Sequence, residues 1–84
     1  MKTIQTVCRD PEGIHARPAG ILNKAAKTYA CTITMTKGSK TADMKRLFAM
    51  MGLGVKSGDA ITITCTGDDE DAAAAALSEL LETL

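Results

Sequence analysis

Two segments of this chain alternate strictly between polar and apolar side chains, and this alternation constrains the fold more than any other feature. Residues 31–36 read Cys-Thr-Ile-Thr-Met-Thr, and residues 61–66, which follow Ala60 in the strand predicted over Ala60–Thr66, read Ile-Thr-Ile-Thr-Cys-Thr. Successive side chains of a β-strand point to opposite faces of its sheet. The alternation therefore predicts strands with one buried side and one side facing solvent, and residues 3–8 show the same period.

Helical spacing of apolar residues separates these strands. It runs from Ala16 to about Lys27, returns over Lys45–Met51, and returns again after residues 67–70, whose side chains can cap a helix. The first helix should bury Ala19, Leu22 and Ala26. The apolar face of the last helix is predicted to comprise Ala73, Ala76, Leu77, Leu80, Leu81 and Leu84.

The order of these elements defines a fold class. A turn at residues 37–39 leads into a short strand near Lys40–Met44, which predicts a hairpin with residues 31–36. The order is then β-α-β-β-α-β-α, which favours an α+β fold with a four-stranded antiparallel sheet covered on one face by helices. With 84 residues, the chain is expected to form a single domain over residues 1–84.

Composition argues against several classes of protein. No segment approaches the roughly 18 apolar residues of a membrane helix, and the first residues begin a strand pattern, so a cytoplasmic location with no membrane partner is expected. The three cysteines form no Cys-x-x-Cys pair, and there is one histidine. We therefore expect no disulfide framework, no metal site and no cofactor, and we predict that the cysteines are small buried apolar residues.

Charge is distributed unevenly although its sum is zero. Residues 1–46 contain nine Lys or Arg against three acids, whereas residues 47–84 contain one Lys against seven acids. A basic first half favours an acidic protein partner or a phosphorylated substrate, which electrostatic steering would help to deliver.

The segment 13–20, Gly-Ile-His-Ala-Arg-Pro-Ala-Gly, places the histidine where a strand gives way to a helix. Pro18 falls within the first helical turn, where its missing N–H removes no intrahelical bond. The first backbone amides of the helix and the positive end of its dipole would then form an anion site near His15, and Arg17 adds a guanidinium suited to phosphate oxygens. The chemistry indicated is a histidine that accepts a phosphoryl group, with the Ala16 and Arg17 region binding it.

The short helix predicted at Lys45–Met51 carries more apolar side chains than it can bury. Successive helical residues are about 100° apart, so Leu47, Phe48 and both of the following methionines cannot all face the core. One interpretation is a loosely packed edge of the core. We favour a patch for docking a protein partner, bordered by Lys45 and Arg46, because Met and an exposed aromatic suit adaptable contacts.

The segment 13–20 resembles the active-site signature of the HPr family, the histidine-containing phosphocarriers of the bacterial phosphoenolpyruvate:sugar phosphotransferase system. The resemblance covers nearly the whole chain, including the apolar 45–55 segment and an alanine-rich last helix. It implies an open-faced β-sandwich and a carrier, not a turnover enzyme. Its catalytic residues would be His15 and Arg17, and Nδ1 of the histidine would accept a phosphoryl group from phosphorylated enzyme I and pass it to IIA domains of sugar permeases.

The resemblance also implies a docking surface, and two positions depart from the family pattern. Family members dock on their partners through the first helix and the short helix, which here places docking at Gly20, Lys24, Lys27, Lys45, Arg46, Leu47, Phe48 and Met51, together with Arg17. Arg46 stands where many members have a regulatory serine, so no such phosphorylation is expected. Glu12 stands where Asn or Ser is common, and its effect on the histidine is left open.

Two other functions remain open at this point. The chain could be a regulatory relative with the same phosphohistidine chemistry, in a nitrogen branch or as a transcription co-effector. It could instead be a nucleic-acid-binding module that uses the basic half, although one Tyr and one Phe provide a poor stacking platform and the acidic half opposes such binding. We therefore expect no nucleic-acid partner.

Overall fold

The computed structural model describes residues 1–9, 11, 13 and 16–83, with the side chains of 16 and 83 left aside. The elements in chain order are β1 (Lys2–Val7), α1 (Ala16–Lys27), β2 (Thr32–Lys37), β3 (Lys40–Asp43), α2 (Leu47–Met51), β4 (Ala60–Thr66) and α3 (Glu70–Thr83). His15, Glu12 and Leu84, for which roles were predicted above, lie outside the described residues, as does part of the turn expected between β1 and α1.

The four strands form one antiparallel sheet with the order β1-β4-β2-β3, over the described part of the chain. β4 is the inner strand that joins the two halves of the sheet. Ile63 lies opposite Ile4 on β1 and opposite Met35 on β2, so three apolar side chains form a row on one face. This confirms the α+β fold with an open antiparallel sheet.

Alternating burial shows why the helices cover only one face. On β2 and β4 the Ile, Met and Cys residues are buried, while the threonines between them are exposed or half-buried. α1 and α3 pack against each other over the apolar face, and α3 contacts β1 and β4. The largest fully buried side chains are those of Leu22, Ile33, Met35, Met44, Met50, Ile61, Ile63, Leu77, Pro18 and Cys65.

Several sequence predictions concern this core. Cys8, Cys31 and Cys65 are all buried, as their inward positions predicted. Ala19, Leu22 and Ala26 of α1 are fully buried, as predicted from their helical spacing. On α3, the predicted inward residues Ala73 and Leu77 are fully buried. The others that the structure describes are half-buried, namely Ala76, Leu80 and Leu81.

The start of the short helix was predicted two residues too early. α2 begins at Leu47 and not at Lys45, because the end of β3 makes a turn first. Asp43 accepts the N–H of Lys45 on its side chain at 2.9 Å and the N–H of Arg46 on its backbone carbonyl at 3.0 Å. Arg46 consequently has an extended backbone (φ −114°, ψ 103°) and precedes the helix.

Within the described residues, the helices are too short or too polar for any of them to cross a lipid bilayer.

Candidate phosphoryl-acceptor site and docking surface

The N-terminus of α1 provides backbone donors and a favourable dipole for an anion. The helix begins at Ala16, and its first turn contains no acidic residue. The first amides of a helix have no intrahelical acceptor, and Pro18 has no N–H, so the described donors of this turn are the amides of Ala16 and Arg17. The buried ring of Pro18 fixes this turn against the core. An anion held here would therefore meet two N–H groups and the positive end of the helix.

Arg17 lies in this first turn with its side chain exposed to solvent. Its guanidinium is free to turn toward the helix N-terminus or toward an arriving partner, and its forked N–H groups suit phosphate oxygens. Because His15 and Glu12 lie outside the described residues, the prediction that His15 is the acceptor remains a prediction. The described part of the site begins at Ala16, the residue after the histidine.

A basic stripe extends from this site along α1. Arg17, Lys24 and Lys27 are exposed, and Gly20 between them is half-buried. They lie opposite the fully buried Ala19, Leu22 and Ala26, so the sequence correctly separated the two faces of the helix. Lys24 and Lys27 also lie in the last turn, where cations interact favourably with the helix dipole. We call Arg17, Gly20, Lys24 and Lys27 the α1 stripe.

The short helix α2 divides its apolar side chains between core and solvent. Met50 is fully buried, Leu47 and Met51 are half-buried, and Phe48 is 82% exposed. The prediction that these four residues cannot all face the core is thus confirmed, and Phe48 is the one that points outward. We call Leu47, Phe48 and Met51 the α2 patch. Exposing an aromatic ring to this extent leaves a large apolar surface without a hydrophobic gain, which is typical of a contact surface.

Two hydrogen bonds connect α1 and the residue after its C-terminal turn with the turn that precedes α2. The buried side chain of Asn23 donates from Nδ2 to the carbonyl of Met44 at 3.0 Å. The half-buried Lys45 donates from Nζ to the carbonyl of Tyr29, just beyond α1, at 2.7 Å. These bonds join α1 to the turn that precedes α2, and the two helices also contact each other directly.

The two bonds modify the sequence-based interpretation. The prediction that Lys45 borders a docking patch stays a prediction, and its ammonium donates to the backbone carbonyl of Tyr29. Asn23 was not singled out, although a polar residue four positions after Ala19, on the apolar side of the helix, was a signal that it has a partner in the core. Arg46 remains exposed at the start of α2.

Gly13 lies on the other side of the histidine in sequence, and its backbone packs closely on a distant loop. It is buried and has a φ of +77°, a conformation that side chains disfavour. A Cβ atom at this position would overlap the carbonyl oxygen of Val55 and would lie 2.9 Å from Cα of Lys56. Only glycine fits, so the chain that enters the acceptor site is fixed against residues 55 and 56.

Comparison with known proteins supports the same class of protein. The family model for the PTS HPr component phosphorylation site matches residues 2–83. The phosphocarrier protein HPr of Lysinibacillus sphaericus is 43% identical over 81 residues, which are 96% of this chain and 92% of that protein. The phosphocarrier protein HPr of Mycoplasma pneumoniae is 40% identical over 83 residues, covering 98% of this chain and 94% of that protein.

Solved structures show the same architecture. The crystal structure of HPr from Thermoanaerobacter tengcongensis superposes with a TM-score of 0.94 at 32% identity, covering 99% of this chain and 93% of that one. The fold and the family match together place the chain in the class of phosphocarrier proteins. With the family model spanning residues 2–83, the chain belongs to the HPr family of the phosphotransferase system.

Proposed function

We propose that this protein carries a phosphoryl group on His15, accepting it from phosphorylated enzyme I and passing it to IIA domains of sugar permeases in the cytoplasm. The observation that carries the proposal is the family match over residues 2–83 combined with a helix that begins immediately after the histidine, at Ala16. The proposal treats residues 1–84 as a single carrier domain. The protein would be a covalent intermediate in transfer and not a turnover enzyme.

Phosphoryl transfer requires little from the protein beyond positioning the reacting groups and stabilising their charge. A neutral imidazole uses the lone pair of Nδ1 to attack phosphorus; the new P–N bond forms while the donor bond breaks, and the donor keeps that bond's electron pair. The N-terminus of α1 disfavours the imidazolium before transfer and stabilises the phosphate dianion afterwards. The amides of Ala16 and Arg17 would bind the phosphoryl oxygens, and the Arg17 guanidinium would add charge.

Docking would use the face formed by the α1 stripe and the α2 patch. Phe48 supplies the apolar contact, with Leu47 and Met51 beside it. The lysines of the stripe supply charge that attracts an acidic partner. Arg46 has no hydroxyl group, so regulation by phosphorylation of this position is not part of the proposed function.

The test is phosphorylation followed by intact mass. The protein is mixed with enzyme I, magnesium and phosphoenolpyruvate, and a His15→Ala variant serves as the control. We expect one phosphoryl mass increment that is lost on acid treatment and absent from the variant. An unmodified protein in the presence of an enzyme I that phosphorylates another HPr would contradict the proposal.

A further inference from the structure

The loop between α2 and β4 contacts Gly13, which precedes the proposed acceptor residue. The charged side chains of Asp59 and Lys37 hold this loop in its conformation. We call residues 54–59 the support loop. The Asp59 carboxylate accepts the N–H of Lys56 at 2.8 Å, and the N–H of Asp59 donates back to the carbonyl of Lys56 at 3.0 Å. Gly54 and Gly58 have φ values of +68° and +89°. The support loop therefore turns at two glycines, and the side chain and backbone of Asp59 close the turn between them and β4.

The support loop is also tied to the end of β1. The N–H of Gly58 donates to the carbonyl of Cys8, and the N–H of Cys8 donates to the carbonyl of Asp59, both at 2.9 Å. These bonds continue the pairing of β1 with β4 past the end of the strand. Gly13 then packs on Val55 and Lys56 at the middle of the loop. The chain is thus attached to the support loop twice before it reaches the histidine.

Lys37, the last residue of β2, contacts the support loop through its side chain. Its ammonium donates to the carbonyl of Gly54 at 2.8 Å and lies 3.0 Å from Oδ2 of Asp59. About a third of each side chain is exposed (31% and 32%), so water only partly screens the pair. One ammonium thereby joins the first and last residues of the support loop.

The Asp59 carboxylate is ionised at neutral pH. The pKa of Asp59 is lowered below its ordinary value of 3.8, first by the N–H of Lys56 and then by its hydrogen bond with Lys37. The carboxylate is consequently ionised throughout the pH range in which phosphoryl transfer would be assayed. The contact with Lys37 persists over that range.

From this arrangement we infer that Lys37 is a positioning residue for phosphoryl transfer, resting on the function proposed above. It holds Gly54 and Asp59 together, this fixes Val55 and Lys56, and Gly13 packs on both. Gly13 precedes the histidine by two residues, and α1 begins at the residue after the histidine. Loosening the support loop therefore loosens the contact of Gly13 with residues 55 and 56, two residues before the proposed acceptor in sequence.

The experiment compares Lys37→Met with Lys40→Met, which removes the same charge from an exposed lysine of the same hairpin. We measure kcat/KM for phosphorylation by enzyme I, the free energy of unfolding, and the NMR titration of the His15 ring in the unphosphorylated protein. Lys37→Met should lower kcat/KM about tenfold, since small misplacements of reacting groups are costly. It should also change the chemical shifts or pKa of the His15 ring. Lys40→Met should match the wild type in kcat/KM and in the ring titration.

Lys37→Arg provides the rescue, because a guanidinium can donate to both the Gly54 carbonyl and the Asp59 carboxylate. It should return kcat/KM to within about twofold of the wild type, a range that a tenfold loss from misplacement would clearly exceed. Transfer by Lys37→Met at the rate of Lys40→Met would overturn the inference. If Lys37→Met does not fold, Asp59→Asn makes the same comparison from the other side of the ion pair.

The ring titration separates this inference from the proposed function. If even the wild type accepts no phosphoryl group, the proposed function fails, and the NMR comparison still decides whether Lys37 positions the His15 ring. Identical ring signals in Lys37→Met and Lys40→Met would then overturn the inference by themselves.

Discussion

Asp69 joins two parts of the chain that are nearly 40 residues apart in sequence. Its carboxylate accepts the N–H of Ala30 at 2.8 Å and the N–H of Cys31 at 2.9 Å, which fixes the connection between α1 and β2 to the start of α3. The N–H of Ala30 is the largest cause of a lowered pKa at Asp69. Burial, with a further contribution from Asp69, raises the pKa of the Cys31 thiol to about 11.

We predict that Asp69→Asn lowers the midpoint of thermal unfolding at pH 7. An amide keeps the shape of the side chain but can accept only through its oxygen, and its NH2 group faces a backbone donor. Because the pKa of Asp69 is lower in the folded protein than its ordinary 3.8, the carboxylate stabilises the fold above that value. This stabilisation is lost as pH falls through the folded pKa.

Thermal unfolding of both proteins as a function of pH measures the effect. The difference between wild type and variant should be full above about pH 5 and should shrink below pH 4, where the carboxylate begins to protonate. Asp68→Asn, at an exposed neighbouring position, is the matched control and should unfold like the wild type. A difference that stays constant down to pH 2 would show that the charge of Asp69 is not the cause.

The five residues of α2 divide between the core and the proposed docking surface. Met50 is fully buried, so Met50→Ala should cost about 2–5 kcal/mol of unfolding free energy through lost burial and a cavity. Phe48→Ala should change the free energy of unfolding by less than about 0.5 kcal/mol, because the ring is mostly in water. It should nevertheless raise KM for phosphorylation by enzyme I roughly tenfold, as loss of an aromatic anchor does.

Denaturant unfolding and transfer kinetics test this division. Val7→Ala removes another exposed apolar side chain, on the solvent-facing side of β1, and should alter neither quantity. An unchanged KM in Phe48→Ala would remove the α2 patch from the proposed docking surface.

Features that depend on local sequence patterns were predicted correctly, whereas features that depend on contacts with other residues were missed. Strict alternation determined which residues of β2 and β4 face the core, since a shift of one position would have buried every threonine. The start of α2 was missed because Lys45 and Arg46 both donate their N–H groups to Asp43. These two residues therefore form a turn and not the first turn of the helix. Strand order was beyond a periodicity argument, because Thr34 pairs with Asp43 on one side and Thr64 on the other, and the period reports a face but not a neighbour.

The site was predictable to a similar extent. The spacing of residues 13–20 correctly predicted a helix from Ala16, and the α1 stripe lies where its spacing placed it. The support loop was not predicted, because the contact between Gly13 and Val55 and the contact between Lys37 and Gly54 join segments with no sequence pattern in common. In the sequence, backbone packing of this kind is visible only as a glycine.

Over the whole molecule, ion pairs neutralise the basic half of the chain in some places and leave it uncompensated in others. Among the described residues, Lys2 pairs with Asp71 at 3.3 Å and Lys37 pairs with Asp59, so each pair takes its acid from the second half. The described pairs do not include Lys24 or Lys27. The positive field should therefore be concentrated beside the proposed docking face.

We predict that kcat/KM for phosphorylation by enzyme I falls about tenfold between low and high salt, because salt screens this field. Exchanging Lys24 and Lys27 together for Gln should flatten the dependence on ionic strength. Lys2→Gln removes a charge that is already paired and should leave it steep. A rate that does not respond to salt would show that steering contributes nothing.

The order of the strands also determines when the sheet can form during protein synthesis. β4 is the last strand to leave the ribosome and yet lies between β1 and β2. At typical bacterial or eukaryotic translation speeds, β1 waits roughly 3–10 s for its partner. The β2–β3 hairpin is complete far sooner, because its strands are neighbours in sequence. A nascent chain that stops before residue 60 therefore lacks the strand that pairs with β1, and a chaperone would meet the N-terminus as unpaired strand.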